Sequence, residues 1–272
     1  MRSAFRFSPA RYGPLWCIVL VARRLSVIDE APVKPARTRT RRKRWVDQRS
    51  TFWVRLLIAL FTPIFRLWIR YFRWFDVGKV PSTGPFFLIS NHTTGMDPFL
   101  TGFSLRHRAV RGPGRIELFS HPAAAFIMRK MGMFPLRQRV ADPVAIRTVV
   151  ELLRADQLVT VYPEGGRSKD GALQPFDIGF ARLALRLRAP LVPMAIAGGT
   201  QLMPMGSMIP KRNTAVVAVY GDAFDLSRFY GQGLTPEVLS AAAQVMHVRV
   251  AELLQRAQQE RSKILSEHPN AR

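Results

Sequence analysis

A histidine followed five residues later by an aspartate can carry out proton transfer, provided the chain between them folds back on itself. His92 and Asp97 stand at this spacing in the run FFLISNHTTGMDPF, residues 86–99. A carboxylate accepting from one imidazole nitrogen fixes the tautomer and stabilises imidazolium, which leaves the other nitrogen to take a proton. The apolar run places His92 just past the end of a buried strand, where α/β folds carry ligand-handling residues. Asp97 before Pro98 reads as a helix N-cap and first helical position, and Gly95 lets the intervening turn fold tightly. Taken alone, the spacing fits equally well an aspartate that caps a helix beside a histidine that ends a strand.

A second polar cluster follows another apolar run. In VYPEGGRS, residues 161–168, Tyr162 and Pro163 close a strand, and Gly165 with Gly166 permits a sharp turn that exposes backbone amides. Arg167 supplies a planar cation suited to bidentate phosphate binding. Glu164 serves no helical periodicity and is free to orient Arg167 or the turn. Ser168 ends the cluster. Without the first cluster, the same residues would read as a polar strand-to-helix loop.

The elements that must hold these clusters follow from periodicity. Short apolar runs at 86–90, 116–119, 158–162, 191–196 and 215–220 have strand length, several bounded by Gly or Pro. Between them 98–106, 121–131, 143–155 and 177–188 look helical. Thr235 caps a final helix started by Pro236, with apolar positions recurring at spacings of four and three from Leu239 to Ala257. The alternation predicts an α/β domain over 79–272, with a mostly parallel sheet flanked by helices.

Upstream the character changes. The chain has 272 residues and a net charge of +23, and residues 1–80 carry 18 Lys/Arg against four acids. Residues 1–50 read as a basic, largely disordered extension. Residues 51–78 read as an amphipathic, membrane-associated helical segment, with Arg55, Arg66, Arg70 and Arg73 on one side of a wheel that Pro63 interrupts. Trp53, Trp68 and Trp74 would sit at headgroup depth. Anionic lipid and nucleic acid both answer such a charge. The basic stretch lacks the interleaved aromatics of single-strand binders, so no nucleic acid is expected.

The apolar run at 12–22 is half the length that a bilayer-crossing helix needs, and Arg23 and Arg24 stand where a signal-peptide cleavage site would be. Cys17, the single cysteine, excludes an internal disulfide and fits a reducing compartment. No metal is expected.

With both clusters in hand, residues 50–220 resemble the 1-acylglycerol-3-phosphate acyltransferase family. Its Asn-His motif with an Asp five residues after the His matches Asn91, His92 and Asp97. Its Phe-Pro-Glu-Gly-Thr-Arg-Ser block matches Tyr162 to Ser168, with Gly166 in place of Thr. An intermediate motif is seen as GMFPLR, residues 132–137, and a Val-Pro strand as LVPMAI, residues 191–196. Motifs in this order are a specific signal.

The resemblance implies a general base at His92, oriented by Asp97. It implies an acceptor site from Arg137 and the Glu164–Arg167 block with Ser168, lined by the strand of Pro193. It also implies acyl-CoA or acyl carrier protein as co-substrate with no further cofactor, a lysophospholipid acceptor, and a peripheral or monotopic place on the cytoplasmic face of the cell membrane. Asp177 stands where many relatives carry Lys, with Arg182, Arg186 or Arg188 as candidate replacements. That departure leaves other acceptors open: another lysophospholipid, glycerol-3-phosphate, an amino-acid lipid or a glycolipid. A non-catalytic basic adaptor would leave the ordered motifs unexplained.

Overall fold

Runs such as FFLIS and LVPMAIA have no polar face, which suits strands covered on both sides. In the computed structural model, which describes residues 56, 59–60, 63, 69–138, 142–207 and 209–271, they form the middle of a five-stranded sheet. The strands are β1 (Phe72–Phe75), β2 (Phe86–Ser90), β5 (Leu158–Val161), β6 (Leu191–Ala197) and β7 (Val216–Tyr220), in the order β1-β7-β6-β2-β5. β2 runs parallel to β5 and β6, and β1 parallel to β7. The β6–β7 pair alone is antiparallel. The sheet is therefore mixed and mostly parallel, as the alternation of apolar runs predicts.

Alternate residues feed two cores. Leu88, Val192, Met194 and Ile196 face Leu100 and Phe103 of α1 (Asp97–Ser104). Phe87, Ile89 and Ala195 face the opposite layer of α3 (Pro143–Arg154), α4 (Ile178–Leu187) and α6 (Pro236–Glu267). Because β2, β5 and β6 are parallel and in close register, their carboxyl ends emerge along one edge, where both polar clusters begin.

An excursion between α1 and α3 makes a second, two-stranded parallel sheet from β3 (Gly112–Arg115) and β4 (Met133–Leu136), joined through α2 (Pro122–Lys130). A further short helix, α5 (Gly199–Leu202), follows β6.

Two expectations need correction, and two strands were missed. Residues 116–119 form a single turn of 3₁₀ helix rather than a strand, with Ile116 and Leu118 exposed at the surface. The helical reading of 51–78 fails at its end. Phe72–Phe75 is a strand whose aromatics suit a pleated surface, with Phe72 buried and Arg73 exposed, so the arginine wheel stops short of Arg73. Leu56, Ala59, Leu60 and Pro63 are helical, and the rest of 51–68 and the basic extension 1–50 lie outside the described residues. β3 and β4 escaped sequence reading because Gly112, Pro113, Gly114 and Pro135 mask them. Proline is tolerated in so small a sheet because every strand is an edge. Among the described residues no helix is long and apolar enough to cross a membrane.

Candidate active site

The chain leaves β2 through Asn91, which is buried at the sheet's edge. Its amide side chain donates to the Ile196 carbonyl at 2.9 Å and accepts from the Ile196 N–H at 2.8 Å, so it extends the β2–β6 ladder by one side-chain rung. His92 follows at once. Its position is set by that rung and by the first turn of α1.

Asp97 is fully buried and its Oδ2 gathers three donors: the Thr93 N–H at 2.8 Å, the Thr94 N–H at 2.9 Å and His92 Nδ1 at 2.8 Å. An oxygen already accepting two amide hydrogens is an acceptor only, so Nδ1 carries the imidazole hydrogen. His92 Nε2 is then the nitrogen with a lone pair. The His92 side chain keeps 20% of its surface open while its carboxylate partner has none.

Asp97 is thus the first residue of α1, and the N-cap position is held by Met96, whose side chain caps nothing. The carboxylate serves the preceding turn and the imidazole instead of the helix that follows.

The second cluster is bound to the first by direct hydrogen bonds. The Glu164 carboxylate accepts the His92 backbone N–H at 2.6 Å through one oxygen and the Gln174 N–H at 3.0 Å through the other. The Ser168 N–H donates to the His92 carbonyl at 2.7 Å. The Tyr162 ring stacks on the imidazole, with centroids 4.1 Å apart and planes 17° from parallel. One face of His92 is therefore covered, its backbone is clamped on both sides, and one ring nitrogen remains to act.

The electrostatics follow the burial. Burial pushes the Glu164 carboxyl up, against the pull of the Gln174 and His92 amides toward the ionised form. Burial, reinforced by the charge of Asp97, keeps the Tyr162 phenol protonated well above its usual range.

Gly165 takes φ +70, a conformation that favours glycine, and turns the chain between Pro163 and Arg167. Gly166 has nothing within 4 Å of where a Cβ would stand. Gly95 lacks a positive φ, so its role is space: a Cβ there would stand 3.1 Å from Met203 Cε and 3.9 Å from Arg167 Nη1. That distance puts the Arg167 guanidinium beside the turn joining His92 to Asp97, on the same edge of the sheet.

The other expected site residues sort differently. Glu164 accepts from two backbone N–H groups, one through each oxygen. The Ser168 hydroxyl donates to Asp170 and accepts from the Gly171 N–H, so it closes its own loop. Arg137 is exposed at the end of β4, with its N–H on Asp142. Pro193 belongs to the scaffold: its ring lies against Gly221, beside Leu253 of α6, on the sheet face away from α1. A central-strand proline is tolerated because the antiparallel β6–β7 register begins only at Met194.

Asp177 caps α4 by accepting from the N–H groups of Gly179 and Phe180, which gives the carboxylate a local purpose. α4 then runs away from the site toward the start of β6, and Arg188 at its end stacks on Tyr230. Arg188 therefore does not restore a cation there. Asp177→Ala is expected to cost about 1 kcal/mol of stability through the lost cap, read as a lower midpoint in urea denaturation.

Sequence reasoning missed the stacking role of Tyr162, visible only as an aromatic at the strand's end, and left Asn91 without a task. The two turns proposed as oxyanion donors also narrow. The Thr94 N–H is spent on Asp97 and the Gly165 N–H on the Tyr162 carbonyl. Gly95 and Gly166 are left as the amides of those turns that donate to no described residue.

Residues 76–197 match the family model described as Acyltransferase. A chloroplastic 1-acyl-sn-glycerol-3-phosphate acyltransferase of Brassica napus is 31% identical over 135 residues, 47% of this chain and 38% of that one. One of Cocos nucifera is 43% identical over 117 residues, covering 40% and 36%. The chain spans less than two fifths of the length of either relative. The crystal structure of the 1-acyl-sn-glycerophosphate acyltransferase from Thermotoga maritima superposes with a TM-score of 0.55 at 21% identity, covering 76% of this chain and 78% of that chain, and so shares the fold.

Proposed function

We propose, from the match of residues 76–197 to the family model described as Acyltransferase, that the chain moves a fatty acyl group from an acyl thioester to the hydroxyl of a lysophospholipid, 1-acylglycerol-3-phosphate, giving phosphatidic acid. The observation that carries this reading is the 2.8 Å contact between His92 Nδ1 and the buried Asp97 carboxylate, at the sheet edge where Arg167 also stands. The domain's relatives are acyltransferases by name, and the finer assignment of donor and acceptor rests on the chemistry of the site.

A glycerol hydroxyl is a poor nucleophile until its proton is removed during attack. His92 Nε2 takes that proton as the oxygen bonds to the thioester carbonyl carbon, and Asp97 stabilises the resulting imidazolium. The carbonyl oxygen becomes an oxyanion, for which the Gly95 and Gly166 amides are the available backbone donors. Collapse expels the thiolate, which recovers the proton from His92, so thiol and ester leave and the enzyme is unchanged. No acyl-enzyme is needed. Acyl-CoA and acyl carrier protein both present the required thioester.

Arg167 pairs with the acceptor phosphate and, together with the exposed Arg137, holds the hydroxyl within reach of His92. Arg167→Ala is accordingly expected to raise the acceptor KM roughly tenfold or more, as loss of a charge-assisted contact implies, with the donor KM little changed. Steady-state kinetics with each substrate varied in turn would check it, and an unmoved acceptor KM would place the phosphate elsewhere.

The reading itself is tested by incubating purified protein with labelled acyl-CoA or acyl carrier protein and a panel of acceptors, followed by mass analysis of the product lipid. Phosphatidic acid formed from lysophosphatidic acid supports the assignment. Ester formation only on glycerol-3-phosphate or a glycolipid would keep the chemistry and replace the acceptor, and no thioester consumption with any acceptor would end the proposal. Lipid substrate and product account for a peripheral place on a membrane, and the cytoplasmic face is what the resemblance to the family implies.

A further inference from the structure

α2 is amphipathic in the wrong sense for a helix of a water-exposed domain. Ala123, Phe126 and Ile127 recur at the spacing of one helical face, and all three are exposed. Phe126 is 61% exposed and Ile127 49%. The adjoining 3₁₀ turn adds Ile116 at 39% and Leu118 at 45%. A cluster of large apolar side chains left in water marks a surface that meets something else.

Cations edge this cluster. Lys130 Nζ lies 5.3 Å from the Phe126 ring centre, Arg129 stands over Phe119, and Arg115 is exposed at the end of β3, 3.6 Å from the Glu117 carboxylate. Glu117 is the one acid of the stretch 112–136. Aromatic and aliphatic tips with basic groups around them match the requirements of an interface-seated element on anionic lipid: apolar groups enter the acyl boundary while the cations stay with phosphates.

The place in the fold fits the same partner. β3 starts against β5, where the Thr160 N–H donates to the Arg111 carbonyl, two residues before the Tyr162 ring that carries His92. At its other end Arg115 registers with Leu136, the neighbour of Arg137. The patch therefore borders the proposed acceptor site.

We infer that the 116–127 face is a membrane-docking surface built into the α/β domain itself, seated on an anionic bilayer and separate from the basic N-terminal region. It rests on the acyltransferase reading only for its purpose: an acceptor lifted by its headgroup can leave its acyl chain in the bilayer beside the patch. An acidic protein such as a carrier protein is the less fitting occupant, since four large apolar side chains would have to find a matching apolar face on it.

The test uses the full chain with Cys17→Ser and a single cysteine introduced by Phe126→Cys, labelled with an environment-sensitive fluorophore. A Gln255→Cys label on the outer face of α6 serves as control. With vesicles of mixed phosphatidylglycerol and phosphatidylcholine, the label at 126 is expected to shift to the blue and brighten, and to be quenched by nitroxide-bearing lipid, while the label at 255 keeps its aqueous emission. Aqueous emission at 126 while the protein sediments with the vesicles would overturn the inference. So would a response at 126 to acyl carrier protein alone, or to increasing protein concentration without vesicles, since the occupant would then be a protein. None of these readings needs turnover, so failure of docking and failure of the enzymatic assignment are told apart by running the acceptor assay on the unlabelled chain.

Discussion

His92→Ala is expected to lower the transferase rate by about 10²- to 10⁴-fold, the usual contribution of a positioned general base, while the protein keeps its fold. Both halves follow from how the residue is held. The side chain bonds to Asp97 and stacks on Tyr162, but the backbone contacts that stitch the two clusters together belong to the His92 N–H and carbonyl, which alanine keeps. What goes is the nitrogen that accepts the proton. The loss should fall on kcat, because the imidazole is not needed to bind either substrate. Stopped assays over a long time course, paired with circular dichroism and thermal melting, would check it. Near wild-type turnover in a folded variant would remove the imidazole from the chemistry and with it the proposed mechanism.

The substitution leaves one complication that can be measured. Asp97 would remain buried with two amide donors and without its third, so a modest fall in melting temperature is expected alongside the activity loss.

How much of this was legible in the residues differs from element to element. β2, β6 and α3 were readable almost to the residue, because an unbroken apolar run and a capped amphipathic period are local signals. β1 was not, since FRWF alternates buried and exposed in a stretch whose arginines also fit a helical face, and only pairing with β7 decides between them. Residues 116–119 failed for the opposite reason: an apolar run normally means burial, and here it lies at the surface.

The site shows the same division. Residue types announced the His92–Asp97 pair and the Arg167 cation, since chemistry restricts which side chains will serve. The contacts that join them had no sequence signature. Glu164 looked like a ligand group and holds backbone, Asp177 looked like a lost cation and caps a helix, and Pro193 looked like a lining residue and sits on the far face. The Glu164 assignment depends on which loop lies opposite in space, 72 residues away at His92, whereas the Asp177 cap is local to its own helix.

Asp97→Asn and Asp97→Ala separate the two duties of the carboxylate. In Asp97→Asn the side-chain oxygen can still accept from the Thr93 N–H, the Thr94 N–H and Nδ1–H, so turn and tautomer are kept while the negative charge is lost. The imidazolium formed during attack then lacks its counter-charge, so proton transfer to His92 is weakened and kcat is expected to fall by about 10²-fold or more. The acceptor KM should change little, because no substrate atom reaches a fully buried group. Asp97→Ala adds a structural cost: two buried amides lose their acceptor, at about 1–3 kcal/mol each, so this variant should also melt early. Measuring kcat, KM and melting temperature for both would show it. An Asn variant as active as the parent would mean that Asp97 only holds the turn in place, and the general-base chemistry would then have to rest on the imidazole without an ionic partner.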